Sequence, residues 1–133
     1  MTIPDPESMR AVAREIADSF AAAWSRGKPD LMVALFAEGA TLIETPFAAP
    51  VSGLDAIRQW AADLPYNQSE ATFTVGEIFS AGPWFSTEFK LSFRRRRTGD
   101  WVEARGAFFA ETQDGKFTEL RMYWHRWTKG REI

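Results

Sequence analysis

A chain of 133 residues with 45% hydrophobic and 26% charged positions has the composition of one soluble globular domain, long enough to bury roughly two thirds of the surface its unfolded form exposes. The absence of cysteine excludes disulfides, thiol nucleophiles and cysteine-ligated metals, and the single histidine, His125, excludes a multi-histidine centre. A net charge of −2 argues against a general nucleic-acid or anionic-membrane binder, both of which need a broad positive field.

In chain order, Asp5, Pro6 and Glu7 open a helix: a capping carboxylate, a first-turn proline, and an acid at the positive end of the dipole. Met9, Val12, Ala13, Ile16, Phe20, Ala23 and Trp24 then fall on one helical face, and Gly27 supplies the left-handed residue that ends it. Pro29 starts a second short helix with Leu31, Met32, Leu35 and Phe36 predicted inward, stopped by Gly39 before a strand over 40–45. Ser52 with Asp55 resembles a capping box for a third helix that carries Ile57, Trp60, Ala61 and Leu64 and is predicted to end at Pro65.

Beyond Pro65 the period changes from helical to alternating. Ala71, Phe73 and Val75 oppose Glu70, Thr72 and Thr74, and Phe85, Phe89, Leu91 and Phe93 oppose Ser86, Glu88, Lys90 and Ser92. The Thr98-Gly99-Asp100 turn leads into a strand from Trp101 to about Thr112. Asp114-Gly115 is a hairpin signal, because both residues tolerate the positive φ that matches strand twist. On the last strand, 117–127, Leu120, Met122 and Trp124 share one face. Arg121, Tyr123, His125 and Trp127 share the other, which is too aromatic for a purely solvated surface and is expected to pack on a second copy of the chain as a homodimer.

Three N-terminal helices followed by a mostly antiparallel sheet define an α+β domain spanning 1–133, with its helices on one side. The aromatic content of 14%, with 11 Phe and 6 Trp, exceeds what filling a core requires, so some rings are expected to line a cavity or an interface. No apolar run approaches the roughly 20 residues of a membrane span. Met1-Thr2-Ile3-Pro4-Asp5 lacks the basic and then apolar regions of a signal peptide, so a cytoplasmic protein is expected. Arg94, Arg95, Arg96 and Arg97 run into a hairpin turn, where alternation splits them between two faces, as in a solvated tip and not a nucleic-acid patch.

The segment from Phe20 to Trp60 contains Val33-Ala34-Leu35-Phe36-Ala37, Ala40-Thr41, Glu44, Pro46, Pro50, Ser52-Gly53 and Ala56-Ile57-Arg58. In this it resembles ketosteroid isomerase and the broader SnoaL-like group of the nuclear transport factor 2 superfamily, and the order of elements extends the likeness over nearly the whole chain. The resemblance implies a cystatin-like curved sheet wrapped around a long helix, leaving a conical pocket. The fold itself carries many chemistries. Position by position, the isomerase's general base falls on Glu44, a departure that keeps the carboxylate. Its two oxyanion donors fall on Phe20 and Ala107, neither of which donates from its side chain.

Glu44 lies in an otherwise apolar strand end. Facing an aromatic pocket built by Phe20, Trp24, Trp60, Phe89, Phe109, Met122 and Trp124, it would be desolvated toward the neutral range that suits proton abstraction beside a carbonyl. The alternative is a carboxylate turned to solvent or paired with an arginine. Arg105 shares strand parity with Ala107, so a guanidinium there would replace the missing oxyanion donors if that face lines the pocket; otherwise it pairs with Glu103 or Glu44. His125, on the outer parity, reads as a surface or interface histidine. No phosphate loop, nucleotide fingerprint or metal-ligand spacing is present, so no cofactor is implied.

Two readings follow. The first is an enzyme that isomerises, cyclises or dehydrates an apolar or aromatic carbonyl compound, with Glu44 and Arg105 as its catalytic pair. The second is a non-catalytic domain that binds a hydrophobic molecule or serves in dimerisation.

Overall fold

The computed structural model describes residues 5–129; the signal-peptide reading of the chain's start falls partly on residues 1–4, outside that range. The first helix, α1 (Pro6–Arg26), begins where the Asp5 carboxylate accepts the Ser8 backbone N–H at 2.8 Å, and ends at Gly27 with φ +61°. That N–H, and after it the Ser8 hydroxyl, holds the Asp5 carboxyl below its usual range. A depressed folded value means that the cap stabilises the helix above the ordinary carboxylate range and is lost as pH falls through the lowered value.

The remaining elements are α2 (Pro29–Val33), β1 (Phe36–Ile43), β2 (Val51–Ser52), α3 (Leu54–Asn67), β3 (Gln68–Val75), β4 (Phe79–Ala81), β5 (Trp84–Arg95), β6 (Trp101–Gln113) and β7 (Lys116–Thr128). The strands form one curved sheet in the order β2-β1-β7-β6-β5-β3, with β4 hydrogen-bonded to β5. Every pairing is antiparallel except β1 with β7. The sheet is open, and its concave face holds the α1 side chains Ile16, Ala17, Phe20 and Trp24, all buried.

Five local expectations are corrected. The second helix is five residues long, Leu31 is exposed, and Phe36 opens β1 instead of closing the helix. Pairing with Phe117, whose ring centroid lies 5.1 Å away, outweighs the helical spacing that Phe36 shares with Met32. Gly39 is therefore a mid-strand residue, at φ +79° where the β1–β7 register shifts, and not a helix stop.

At α3 the N-cap is Gly53, φ +86°, with no side-chain cap bond, because Ser52 is committed to β2. The same helix continues through Pro65 to Asn67. A proline in the last turn forfeits one N–H, and the Pro65 carbonyl, one of the helix's last acceptors, is bound by Arg96 Nε at 2.8 Å.

On β6 the inward register is Val102, Ala104, Gly106, Phe108 and Ala110, so Arg105, Ala107 and Phe109 face outward. Gly106 stands opposite Trp124 on β7. A Cβ there would lie 2.7 Å from Trp124 Cα and closer still to the Tyr123 carbonyl oxygen, both parts of a neighbouring backbone that cannot rotate away. Glycine thus lets the two central strands approach closely at this pair. Gly106→Ala is expected to destabilise the fold by about 3 kcal/mol, the upper range for overpacking a core, seen as a lower urea midpoint at unchanged m-value.

Candidate active site

Ile43, the last residue of β1, pairs in parallel with Arg121 on β7, which carries Glu44 alongside the second half of that strand. Beyond it Thr45 makes a turn, its Oγ1 accepting the Phe47 N–H and its carbonyl the Ala48 N–H, each at 3.3 Å. The backbone of Glu44 is held from the other side, because Trp124 Nε1 donates to its carbonyl oxygen at 3.0 Å. The helix α3 adds the side-chain contact: Trp60 Nε1 donates to Glu44 Oε2 at 3.0 Å.

The other carboxylate oxygen, Oε1, lies 3.8 Å from Arg126 Nη2, too far for a hydrogen bond. The Arg126 guanidinium lies over the Trp124 ring, 4.6 Å from its centroid, and donates no hydrogen bond among the described residues. Side-chain exposure is 31% for Glu44 and 48% for Arg126, so the pair stands at the rim.

Behind the rim the interior is filled. Trp24 makes edge contacts with Trp60 (5.6 Å between ring centroids) and Trp124 (6.2 Å), and Phe89 lies 6.0 Å from Trp124. Deeper in, Phe20 has 0% exposure and contacts Trp24, Phe73, Phe108 and Phe117 at centroid separations of 5.4–5.8 Å. Met122 is likewise fully buried. These rings and Met122 belong to one buried core on the helix side of the sheet.

Of the residues singled out from sequence, Glu44, Trp60, Trp124, Trp24 and Phe89 converge, with Phe20 and Met122 buried in the same core. Arg105, Ala107 and Phe109 do not join them. Arg105 is 69% exposed on the outer face and lies 3.8 Å from Glu103, and Phe109 packs edge-on against Tyr123 at 6.0 Å. The isomerase's second oxyanion position therefore has no counterpart at Ala107, and its inward neighbours Gly106 and Phe108 carry no donor side chain either.

Arg126 is the residue the sequence reading missed. Its signal was parity, since it follows Trp124 by two positions and must share its face. Among the described residues, no group of three or more potential metal ligands converges and no helix is long and apolar enough to cross a membrane.

The family model for SnoaL-like domains matches residues 17–120, and the chain belongs to that family. No curated protein matches it closely. Among solved structures it is similar to a putative isomerase from Bacillus subtilis, at 22% identity over 88% of each chain with a TM-score of 0.79. It is also similar to SalBIII, an epoxide hydrolase/cyclase-like enzyme in pyran ring formation in polyether salinomycin, at 17% identity over 91% of this chain and 93% of that one (TM-score 0.76). A protein from Catenulispora acidiphila with a ketosteroid isomerase-like fold, in complex with trimethylamine, gives 22% identity over 82% and 84% of the two chains (TM-score 0.75).

The site separates structural from electrostatic roles. Trp60→Ala, at a buried position in contact with Trp24, is expected to cost about 3–5 kcal/mol in urea unfolding. Arg126→Gln removes a half-exposed pair and should cost less than about 1 kcal/mol.

Proposed function

We propose that this chain is a cytoplasmic small-molecule enzyme that transfers a proton on an apolar carbonyl compound, with Glu44 as the shuttle. The observation that carries the reading is the asymmetry of the Glu44 carboxylate: Oε2 is fixed by the Trp60 N–H, whereas Oε1 faces Arg126 beyond hydrogen-bond range. Oε1 takes the proton from the carbon next to the carbonyl. The C–H electrons form the enolate, whose oxygen is stabilised by Arg126, and the proton returns from Glu44 to another carbon for isomerisation or to the same carbon for exchange.

Arg126 thus takes the part expected of Arg105. The similar structures support a small-molecule reading, since one acts in ring formation, another is a putative isomerase and a third holds trimethylamine.

A second reading, a non-catalytic binding or dimerisation domain, is favoured by the filled interior and by Phe20 in place of a donor. Exchange of α-protons into deuterated water, followed across cyclic and aromatic ketones, separates the two. Wild-type exchange that falls at least about 100-fold in Glu44→Gln supports the base. Absence of exchange, with ligand-dependent tryptophan fluorescence retained, moves the domain to the second reading.

The homodimer belongs to this proposal. On the outer face Tyr123, Phe109 and Trp127 are 42–53% exposed, alongside Arg121 and His125. Sedimentation equilibrium is expected to give twice the chain mass at micromolar concentration, and Tyr123→Glu with Trp127→Glu should yield a folded monomer. A monomeric wild type would remove the assembly from the proposal.

A further inference from the structure

Trp24, which touches the Glu44 cluster, lies near the C-terminal end of α1. A second feature lies at the other end of that helix, about 24 Å away by helical rise from Ser8. There the first turns of α1, the β4–β5 turn and the β6–β7 hairpin enclose a cavity of about 340 Å³. Its walls are apolar, formed by Met9, Val12, Pro83, Trp84 and Phe85. Val12 remains 42% exposed although it lies on the apolar face of α1, so covering it would remove hydrocarbon from water.

The polar groups of the cavity are unequal. The Ser8 hydroxyl is spent on Asp5 at 3.2 Å and that of Thr112 on the Pro83 carbonyl at 3.4 Å. Among the described residues, Asp114 is the only ionisable group on the wall, and its carboxylate has neither an ion pair nor a hydrogen bond. Asp114 is held in the hairpin at φ +52° ahead of Gly115 at φ +76°. Arg121, which is not among the lining residues, places its guanidinium 5.3 Å from the Trp84 ring centroid.

An apolar hollow lined by Trp84 and Phe85, with Asp114 as its one ionisable lining residue, suits a cation on a hydrocarbon body, and disfavours an anion. We propose that this cavity is a binding site for a compact aliphatic or aromatic amine of about ten heavy atoms, its ammonium on Asp114 and its body against Met9, Val12 and Trp84. The site is independent of Glu44.

The test is an amide and indole NMR titration of the whole chain at low ionic strength. The probe is cyclohexylmethylamine, with cyclohexylmethanol as its neutral counterpart. Saturating shifts at Ser80, Gly115 and the Trp84 indole N–H are expected with the amine, which binds several-fold tighter than the alcohol. Asp114→Asn should weaken the amine about fivefold and leave the alcohol unchanged, and it preserves the turn because Asn-Gly is the favoured pair there. Val12→Trp, at a partly exposed position, should abolish both by filling the hollow. Equal affinity of amine and alcohol, insensitivity to Asp114→Asn, or shifts confined to the Glu44 end of α1 would each overturn the proposal.

Discussion

The ring of Phe20 is the point on which the arrangement depends. It comes from the middle of α1 and meets Phe73 of β3, Phe108 of β6 and Phe117 of β7, so one side chain joins the helix to three strands of the sheet. Burying each such ring contributes about 2–3 kcal/mol, and edge-on contacts add to that. A hydroxyl at this position would be surrounded by rings and would need a partner they cannot supply. The identity of residue 20 and the closure of the cone are therefore one constraint. At the rim, Glu44 and Arg126 keep 31% and 48% of their side-chain surface exposed.

Much of this was legible in the sequence, and on β6 and β7 the information was present even where it was misread. The charged pair Glu103 and Arg105 alternates with Val102 and Ala104, and this parity alone turns Ala107 and Phe109 outward. Matching Ala107 to a family position overrode the alternation, and the strand follows the alternation because Gly106 must meet the backbone of Trp124. Arg126 was legible by the same rule. In the Glu44, Trp60 and Trp124 cluster, Trp124 came from the parity of the last strand, whereas Glu44 and Trp60 came from the family likeness, since the three are joined only by tertiary contacts.

What local pattern could not supply was non-local by nature. Phe36 carries helical spacing, yet its partner Phe117 is far along the chain, and a propensity worth tenths of a kcal/mol yields to a buried aromatic contact. The left-handed Gly39 reads as a stop signal until the strand around it is known to be bulged. Pro65 ends a helix in most contexts; here the bond from Arg96 to its carbonyl accompanies the last turn. In each case the deciding contact joins segments that no window of sequence holds together.

The rim also shows why a carboxylate can be fixed and available at once. One oxygen of Glu44 is tied to an indole N–H whose ring is locked against Trp24, so the side chain has a set direction. The other sees a guanidinium positioned by stacking on Trp124, without a hydrogen bond between them. A half-exposed pair at 3.8 Å is weak, and exchanging it for a substrate oxygen on Arg126 sacrifices little. Had Arg126 formed a bidentate pair with Glu44, an incoming oxygen would have had to break two charge-assisted bonds first. The stacking on Trp124 keeps the cation near the carboxylate while leaving its donors unspent, the condition that the proposed proton transfer, with a base and an enolate partner acting on one molecule, would require.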